Sequence, residues 1–281
     1  MTEKTGRLYV VATPIGNLDD ITIRAIKTLK EVDFIICEDT RHSKKLLAHF
    51  GISKRLISYY KPIELAKAKV IIEELRLGLE GALISDAGTP AISDPGTILV
   101  REARANNIEV IPIPGPSSLT AAISISGLKT VPFVFEGFMP KKKKEIINKF
   151  QQVKCQPYTW IFYIPARDVN DFLMLANDII PERNILIARE LTKIYEEVKI
   201  GKALDLLRLN MERKGEAVII VEGEGRKNSS GEEDIIELVK NAISDKKSFK
   251  DIMKNDKFKH IKRNKLYKIY EELKGANDDR D

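Results

Sequence analysis

Cysteine and histidine are scarce in this chain, at two and three residues of 281. Cys37 and Cys155 lie in or beside apolar runs, so buried free thiols in a reducing cytoplasm fit better than a disulfide framework. His42, His49 and His260 share no ligand spacing with each other or with the cysteines, and no metal is expected. No stretch approaches the roughly 18 consecutive apolar residues of a membrane span. The opening MTEKTGRLYVV carries an acid and runs straight into a strand-like stretch, unlike a secretory signal. The Gly-x-Gly-x-x-Gly dinucleotide fingerprint and the P-loop lysine are both missing, which counts against NAD, FAD and nucleotide phosphates. What remains is a chain that is 43% hydrophobic and 31% charged, long enough for two domains or for one with an appendage.

The net charge of +6 is modest, but it is concentrated. Residues 246–268 hold ten Lys and Arg against Asp251 and Asp256, a local surplus of +8, so the rest of the chain is slightly acidic. A second basic run is Lys141–Lys144, beside Phe138. Both point to a polyanionic partner, with a solvated lysine-rich face as the alternative.

Strand-like and helix-like segments alternate in the first half. Leu8–Ala12 is a predicted strand, followed by a helix with Ile23, Ile26, Leu29 and Val32 at helical spacing and Asp20 or Thr22 as its cap. Phe34–Cys37 is a second strand. Helices are predicted over 43–50, with Gly51 as the stop, and over Leu65–Leu77. Strand Ala82–Ser85, a helix from Thr97 to about Asn106 capped by the break Ser93–Gly96, and strand Glu109–Ile113 follow. This alternation predicts a mostly parallel sheet. Ser117-Ser118 then opens a helix to about Ser126, with Pro116 suited to its first turn. Beyond it, helices are predicted over Ile146–Val153, Phe172–Ile180 and Ala203–Arg208, and strands over Thr159–Ile164, Ile185–Ala188 and Ala217–Val221. Domain boundaries are expected near 115/116 and 224/225, the second in the linker Gly223–Gly231, ahead of a basic helical tail.

Four turns end the strands of the first half: 13–17, 38–42, 86–90 and 114–118. In a parallel sheet they leave one edge and line one crevice. Gly88 lets backbone approach a ligand closely, and Pro90 stiffens its turn. Small residues, hydroxyls and free amides suit a polar, largely uncharged ligand such as an adenosyl group.

Read in order, TPIGN (13–17), EDTRH (38–42), SDAGTPAISDPG (85–96), PGPSS (114–118), EGFMP (136–140) and RELT (189–192) resemble the tetrapyrrole-methylase superfamily and, within it, the ribosomal RNA small subunit methyltransferase I family. The resemblance implies two α/β domains with S-adenosylmethionine in the cleft between them, a small C-terminal helical domain and a homodimer. It implies 2′-O-methylation of a cytidine in the decoding region of 16S rRNA within the small ribosomal subunit, in the cytoplasm. Carried over by position, Pro14, Ile15, Ala87, Gly88, Thr89, Ile92, Ser117, Ser118, Ile164, Leu191 and Glu222 would hold the cofactor. The chain departs from the family's pattern at 162–168, where Phe-Tyr-Ile-Pro-Ala-Arg-Asp replaces Phe-Tyr-Glu-Ser-Pro-His-Arg.

Methyl transfer to a weakly acidic ribose hydroxyl needs alignment and benefits from a proton acceptor. Glu38 and Asp39 are the candidates, with Glu38 favoured by the resemblance and His42 nearby. The alternative is that Asp39 caps the next helix and Glu38 pairs with Arg41. Arg41, Lys44, Lys141, Lys142, Arg167, Lys259, Lys262 and Arg263 are candidate RNA contacts. Two rival functions stay open: C-methylation of a tetrapyrrole, which the basic tail speaks against, and non-catalytic RNA binding during ribosome assembly.

Overall fold

The computed structural model describes residues 5–209, 214–223, 232–245, 247–254, 258 and 263–278. The chain divides into two units, Met1–Gly223 and Glu224–Asp281.

Unit 1 contains two five-stranded sheets. The first is built from β1 (Arg7–Val11), β2 (Phe34–Cys37), β3 (Arg55–Ser58), β4 (Gly81–Leu83) and β5 (Glu109–Ile113), in the order β3-β2-β4-β1-β5. All of its pairings are parallel, as the alternation predicts. Helices α1 (Ile23–Glu31), α2 (Thr40–His49), α3 (Glu64–Arg76) and α4 (Thr97–Ala105) connect the strands, and α5 (Ser118–Ile125) follows β5. Phe34 and Ile36 face one apolar layer and Ile35 and Cys37 the other, so β2 is buried on both sides.

The helix starts follow side-chain chemistry. Thr22 rather than Asp20 caps α1, accepting from the Ala25 amide. Helix α2 begins three residues before the expected 43, because the Asp39 carboxylate accepts from the amides of Arg41 and His42. The Ser93–Gly96 break offers no side-chain cap to α4. Buried Glu64 reaches across from α3 instead and accepts from the Gly96 amide at 2.9 Å.

The second sheet is mostly antiparallel. Its strands are β6 (Phe133–Phe138), β7 (Thr159–Pro165), β8 (Asn184–Arg189), β9 (Glu197–Lys202) and β10 (Glu216–Val221), in the order β6-β7-β10-β8-β9. Only β6 and β7 pair in parallel; β10 inserts between β7 and β8, antiparallel to both. Helices α6 (Lys143–Cys155), α7 (Val169–Ile179) and α8 (Ala203–Leu207) belong to this half. Phe150, Phe162, Phe172 and Leu173 make the core on one face. On the other face α5 brings Ala122, Leu119 and Ile123 against Ile161, Ala188 and Val218. A helix that leaves the first sheet therefore covers the second. We propose the expected division at 115/116, just before this helix, as the boundary between the two lobes.

Cys37 is buried in β2 as expected, but Cys155 is exposed at the end of α6. Unit 2 has α9 (Glu232–Ser244), α10 (Phe249–Lys254) and α11 (Arg263–Asp278), closed around Val239, Ile252, Phe258 and Leu266. The linker expected at Gly223–Gly231 lies outside the described residues from 224 onward, as do Lys259 and Lys262.

Candidate functional site

Because β1, β2, β4 and β5 are parallel, the turns that follow them leave one edge, where hydrogen bonds lace them together. Thr13 and Gly88 exchange backbone hydrogen bonds of 2.9 and 3.0 Å. The Thr13 hydroxyl donates to the Ser85 carbonyl at 3.1 Å, and the Thr89 hydroxyl to the Pro116 carbonyl at 3.1 Å. The Asp39 amide donates to Asp86 Oδ1 at 3.3 Å, which ties the second turn to the third. At this edge, between the two sheets, lies a cavity of about 420 Å³.

Nine of the proposed cofactor and catalytic positions line it. From the first sheet come Ile15, Glu38, Ala87, Gly88, Thr89 and Ile92; Ser117 and Ser118 stand at the head of α5, and Leu191 follows β8. Gly88 has φ +81, and a Cβ there would sit 3.3 Å from Ile15 Cγ2. Ser117 makes no side-chain cap to α5, and the Ser118 hydroxyl donates to Tyr163 Oη at 3.0 Å, pinning α5 to β7. A link between the two lobes is the Asn17 amide, which donates to Thr192 Oγ1 at 3.0 Å. Around the rim, Ala91, Glu190 and Thr192 hold left-handed backbone, with φ of 64, 51 and 65°.

Other expected positions lie elsewhere. Pro14 is buried but does not line the cavity. Ile164 is 3% exposed and turns into the opposite core with Phe162, because successive residues of β7 face opposite ways. Its neighbour Tyr163 is the cavity residue, and the alternation of a strand running Trp160, Phe162, Ile164 on one face was the signal for it. Glu222 is at the wrong end of its strand. β10 runs antiparallel, so Glu216, Ala217 and Val218 reach the cavity, whereas Val221 pairs with Trp160. Glu222 accepts there from the Lys129 amide at 3.0 Å and from Asn184 Nδ2 at 2.7 Å.

Asp39 and His42 do not line the cavity either. Asp39 caps α2, and its hydrogen bonds from the Arg41 and His42 amides hold the carboxyl below its ordinary range. Asp39→Asn, which keeps an acceptor, should therefore leave the melting temperature and any catalytic rate near wild type, measured by thermal unfolding and turnover. A fall of about a hundredfold in rate would return Asp39 to the chemistry. His42, Arg41 and Lys44 are exposed on α2. Lys141 and Lys142 are exposed ahead of α6, where Lys142 pairs with Glu145 at 3.4 Å. Exposed Arg167 pairs with Asp168 at 3.7 Å, and Arg263 is exposed at the start of α11 in unit 2.

The cavity is more acidic than its turns promised. Besides Glu38 it is lined by Asp86, Asp94, Glu190 and Glu216, against Lys61 and Lys193. Glu38, Asp86, Asp94 and Glu190 lie within the quoted motifs and Glu216 outside them; the fold brings these distant segments together. Lys193 is engaged by Glu190 at 2.8 Å. Burial, then the charges of Asp86 and Asp94, push the Glu38 carboxyl up, with Lys61 opposing. Burial also raises Asp94. Burial would raise Glu190 too, but hydrogen bonds from Lys193 and the Glu216 amide hold it low. Beside the hydroxyls and amides of the turns, the lining therefore carries a surplus of negative charge.

Residues 7–207 match the family of tetrapyrrole (corrin/porphyrin) methylases. The chain is 43% identical over 237 residues to the ribosomal RNA small subunit methyltransferase I of Haemophilus influenzae, covering 83% of this chain and 84% of that one. It is 46% identical over 224 residues to the enzyme of the same name from Halalkalibacterium halodurans, covering 79% and 78%. The chain belongs to the ribosomal RNA small subunit methyltransferase I family. Its fold is also that of uroporphyrin-III-C-methyltransferase from Thermus thermophilus, with a TM-score of 0.55 at 18% identity over 77% of this chain and 94% of that one. At the family motif that differs, Ile164 occupies an apolar core position and presents no polar group to the cavity. Among the described residues no helix is long and apolar enough to cross a membrane, and no group of His, Cys, Asp and Glu could hold a metal.

Proposed function

We propose that this chain transfers a methyl group from S-adenosylmethionine to the RNA of the small ribosomal subunit, at the 2′-hydroxyl of a cytidine in the decoding region of 16S rRNA. The observation that carries the donor assignment is the charge of the cavity. Five carboxylates face two lysines, and among the described residues no arginine lines the wall, an environment that favours a cation over a phosphate. S-adenosylmethionine, bound, supplies an electrophilic methyl on a positive sulfur and carries no phosphate. The Thr13–Gly88 bridge and the left-handed Gly88 keep backbone close to the cavity without a side chain in the way, the kind of cradle such a ligand needs. Thr89, Ser117 and Ser118 supply hydroxyls and the free amides at the start of α5. The rRNA acceptor rests on the named activity of the relatives.

Glu38 is the acceptor for the hydroxyl proton. As the ribose oxygen forms its bond to the methyl carbon and the carbon–sulfur bond breaks, the proton passes to the Glu38 carboxylate and then to water. The raised affinity of Glu38 for protons improves it as a base once it is ionised. Turnover should rise with pH through a value above the ordinary carboxylate range. The deciding experiment incubates the protein with methyl-labelled S-adenosylmethionine and, in parallel, small ribosomal subunits from cells lacking this chain or a porphyrin precursor, then maps ribose methylation in 16S rRNA. Label at a single decoding-region cytidine is expected. Label in a porphyrin precursor instead, or RNA binding without any transfer, would overturn the assignment.

A further inference from the structure

Regular pairing would not put Phe138 on the cavity wall. β6 runs in register with β7 from Phe133 opposite Thr159 to Phe135 opposite Ile161; then Gly137, not Glu136, stands opposite Phe162, and Phe138 opposite Tyr163. Phe135, Ile161 and Tyr163 belong to the layer facing the cavity, whereas Val134 and Phe162 belong to the core behind the sheet. Without the extra residue Phe138 would fall opposite Ile164 and turn into that core. The bulge uses Gly137 at φ +73, backed by Ser93, whose Oγ lies 3.1 Å from where a Cβ would be. Bulges beside active sites commonly re-aim a side chain, and this one delivers an aromatic ring.

The ring it delivers is 52% exposed, lines the cavity, and meets Tyr163 edge-on with centroids 5.5 Å apart. Tyr163 is itself edge-on to Phe135 at 5.0 Å and hydrogen-bonded to Ser118 at the head of α5, so it is braced from two sides. A half-exposed phenylalanine on a braced partner contributes little to the core and leaves half of its surface open to a ligand. Because β6 and β7 are parallel, the segments that follow them leave the same edge: exposed Lys141–Lys144 after the first, exposed Arg167 after the second. These exposed cations, three to six residues along the chain from Phe138 in the first case, suit the backbone of a phosphodiester strand that would run outside the acidic cavity.

We propose that Phe138 is the stacking platform for an unstacked nucleobase of the RNA substrate; this rests on the rRNA-methylation reading. A base taken out of its strand recovers stacking on an aromatic face, while neighbouring cations hold the backbone. The test compares Phe138→Ala, Phe138→Leu, Phe138→Tyr and Phe138→Trp by steady-state methyl transfer to small ribosomal subunits, with S-adenosylmethionine affinity and thermal unfolding measured on each variant. Ala and Leu should raise KM for subunits or lower kcat/KM by about 10- to 100-fold, Tyr and Trp should stay near wild type, and donor affinity should hold to within about twofold. Leu retains apolar bulk, so parity of Leu with wild type would overturn the platform even where Ala unfolds. A loss confined to donor affinity would also overturn it, assigning the ring to the donor's adenine. If wild type itself transfers no methyl to subunits, the functional reading fails and the platform with it; if wild type is active and Ala matches it, only the platform fails.

Discussion

Glu38→Gln should slow methyl transfer by about 10²- to 10⁴-fold while leaving affinity for S-adenosylmethionine nearly unchanged, and should raise the melting temperature. The joint outcome follows from its position. Glu38 is half-buried at the end of β2, and burial together with Asp86 and Asp94 makes its ionised form unfavourable. A group whose folded pKa is raised makes the ionised protein less stable than the same chain with a neutral isostere. The variant's thermal advantage should therefore be largest at pH values where Glu38 is ionised. It should shrink as pH falls through the raised value towards the ordinary carboxylate range. Over the same interval wild-type turnover should decline, and the variant's residual rate should lose that dependence. If Glu38 instead served only as an ion-pair partner, the substitution would lower the melting temperature and spare the rate. An unaltered single-turnover rate removes Glu38 from the base role.

Gly88→Val should weaken S-adenosylmethionine binding by about 30-fold or more, corresponding to the roughly 2 kcal/mol that left-handed backbone and added bulk cost a β-branched residue. Space alone is not the obstacle. The first added carbon would stand 3.3 Å from Ile15 and 3.8 Å from the Pro116 carbonyl, tight but open. The larger cost is φ +81, which glycine adopts freely and valine does not. Escape from that conformation would break the paired hydrogen bonds to Thr13 and shift Thr89 from Pro116. A graded series separates the two causes. Asparagine tolerates left-handed backbone better than alanine, so Gly88→Asn should unfold at a higher temperature than its size suggests, relative to Gly88→Ala. Calorimetric titration of each variant with S-adenosylmethionine checks the binding arm. Wild-type affinity in Gly88→Val would mean that the Thr13–Gly88 turn does not face the donor.

The four turns of the first sheet were legible because each joins a short apolar strand to a helix through small, hydroxylated or proline-bearing residues, and a parallel arrangement leaves them one edge to share. An edge strand of each sheet was harder to read. β3 of the first and β9 of the second are only partly buried, and their weak apolar patterns, Arg-Leu-Ile-Ser and Glu-Val-Lys-Ile-Gly-Lys, do not stand out as strands. The insertion of β10 between β7 and β8 is a long-range pairing, and it decides that Glu216 rather than Glu222 reaches the cavity. Tyr163 and Ile164 differ by one position in a period of two, a distinction that resemblance to a motif blurs and strand geometry settles. Glu216 and Lys61 lie outside every motif and are individually ordinary in the sequence; only folding gathers them with Asp94 and Glu190 at the cavity of Glu38.

The backbone at Ala91, Glu190 and Thr192 has a thermodynamic consequence for the whole chain. Each non-glycine residue held in the left-handed region carries roughly 1–3 kcal/mol of conformational free energy that the surrounding contacts must over-determine. Three of them together weigh against a net folding free energy that for most domains is only about 5–15 kcal/mol. Glycine would relax that burden most plainly at Ala91, since at Glu190 and Thr192 it would also remove the bonds to Lys193, the Glu216 amide and the Asn17 amide. The same relaxation would loosen the rim, so heat resistance and a well-defined cleft pull in opposite directions here.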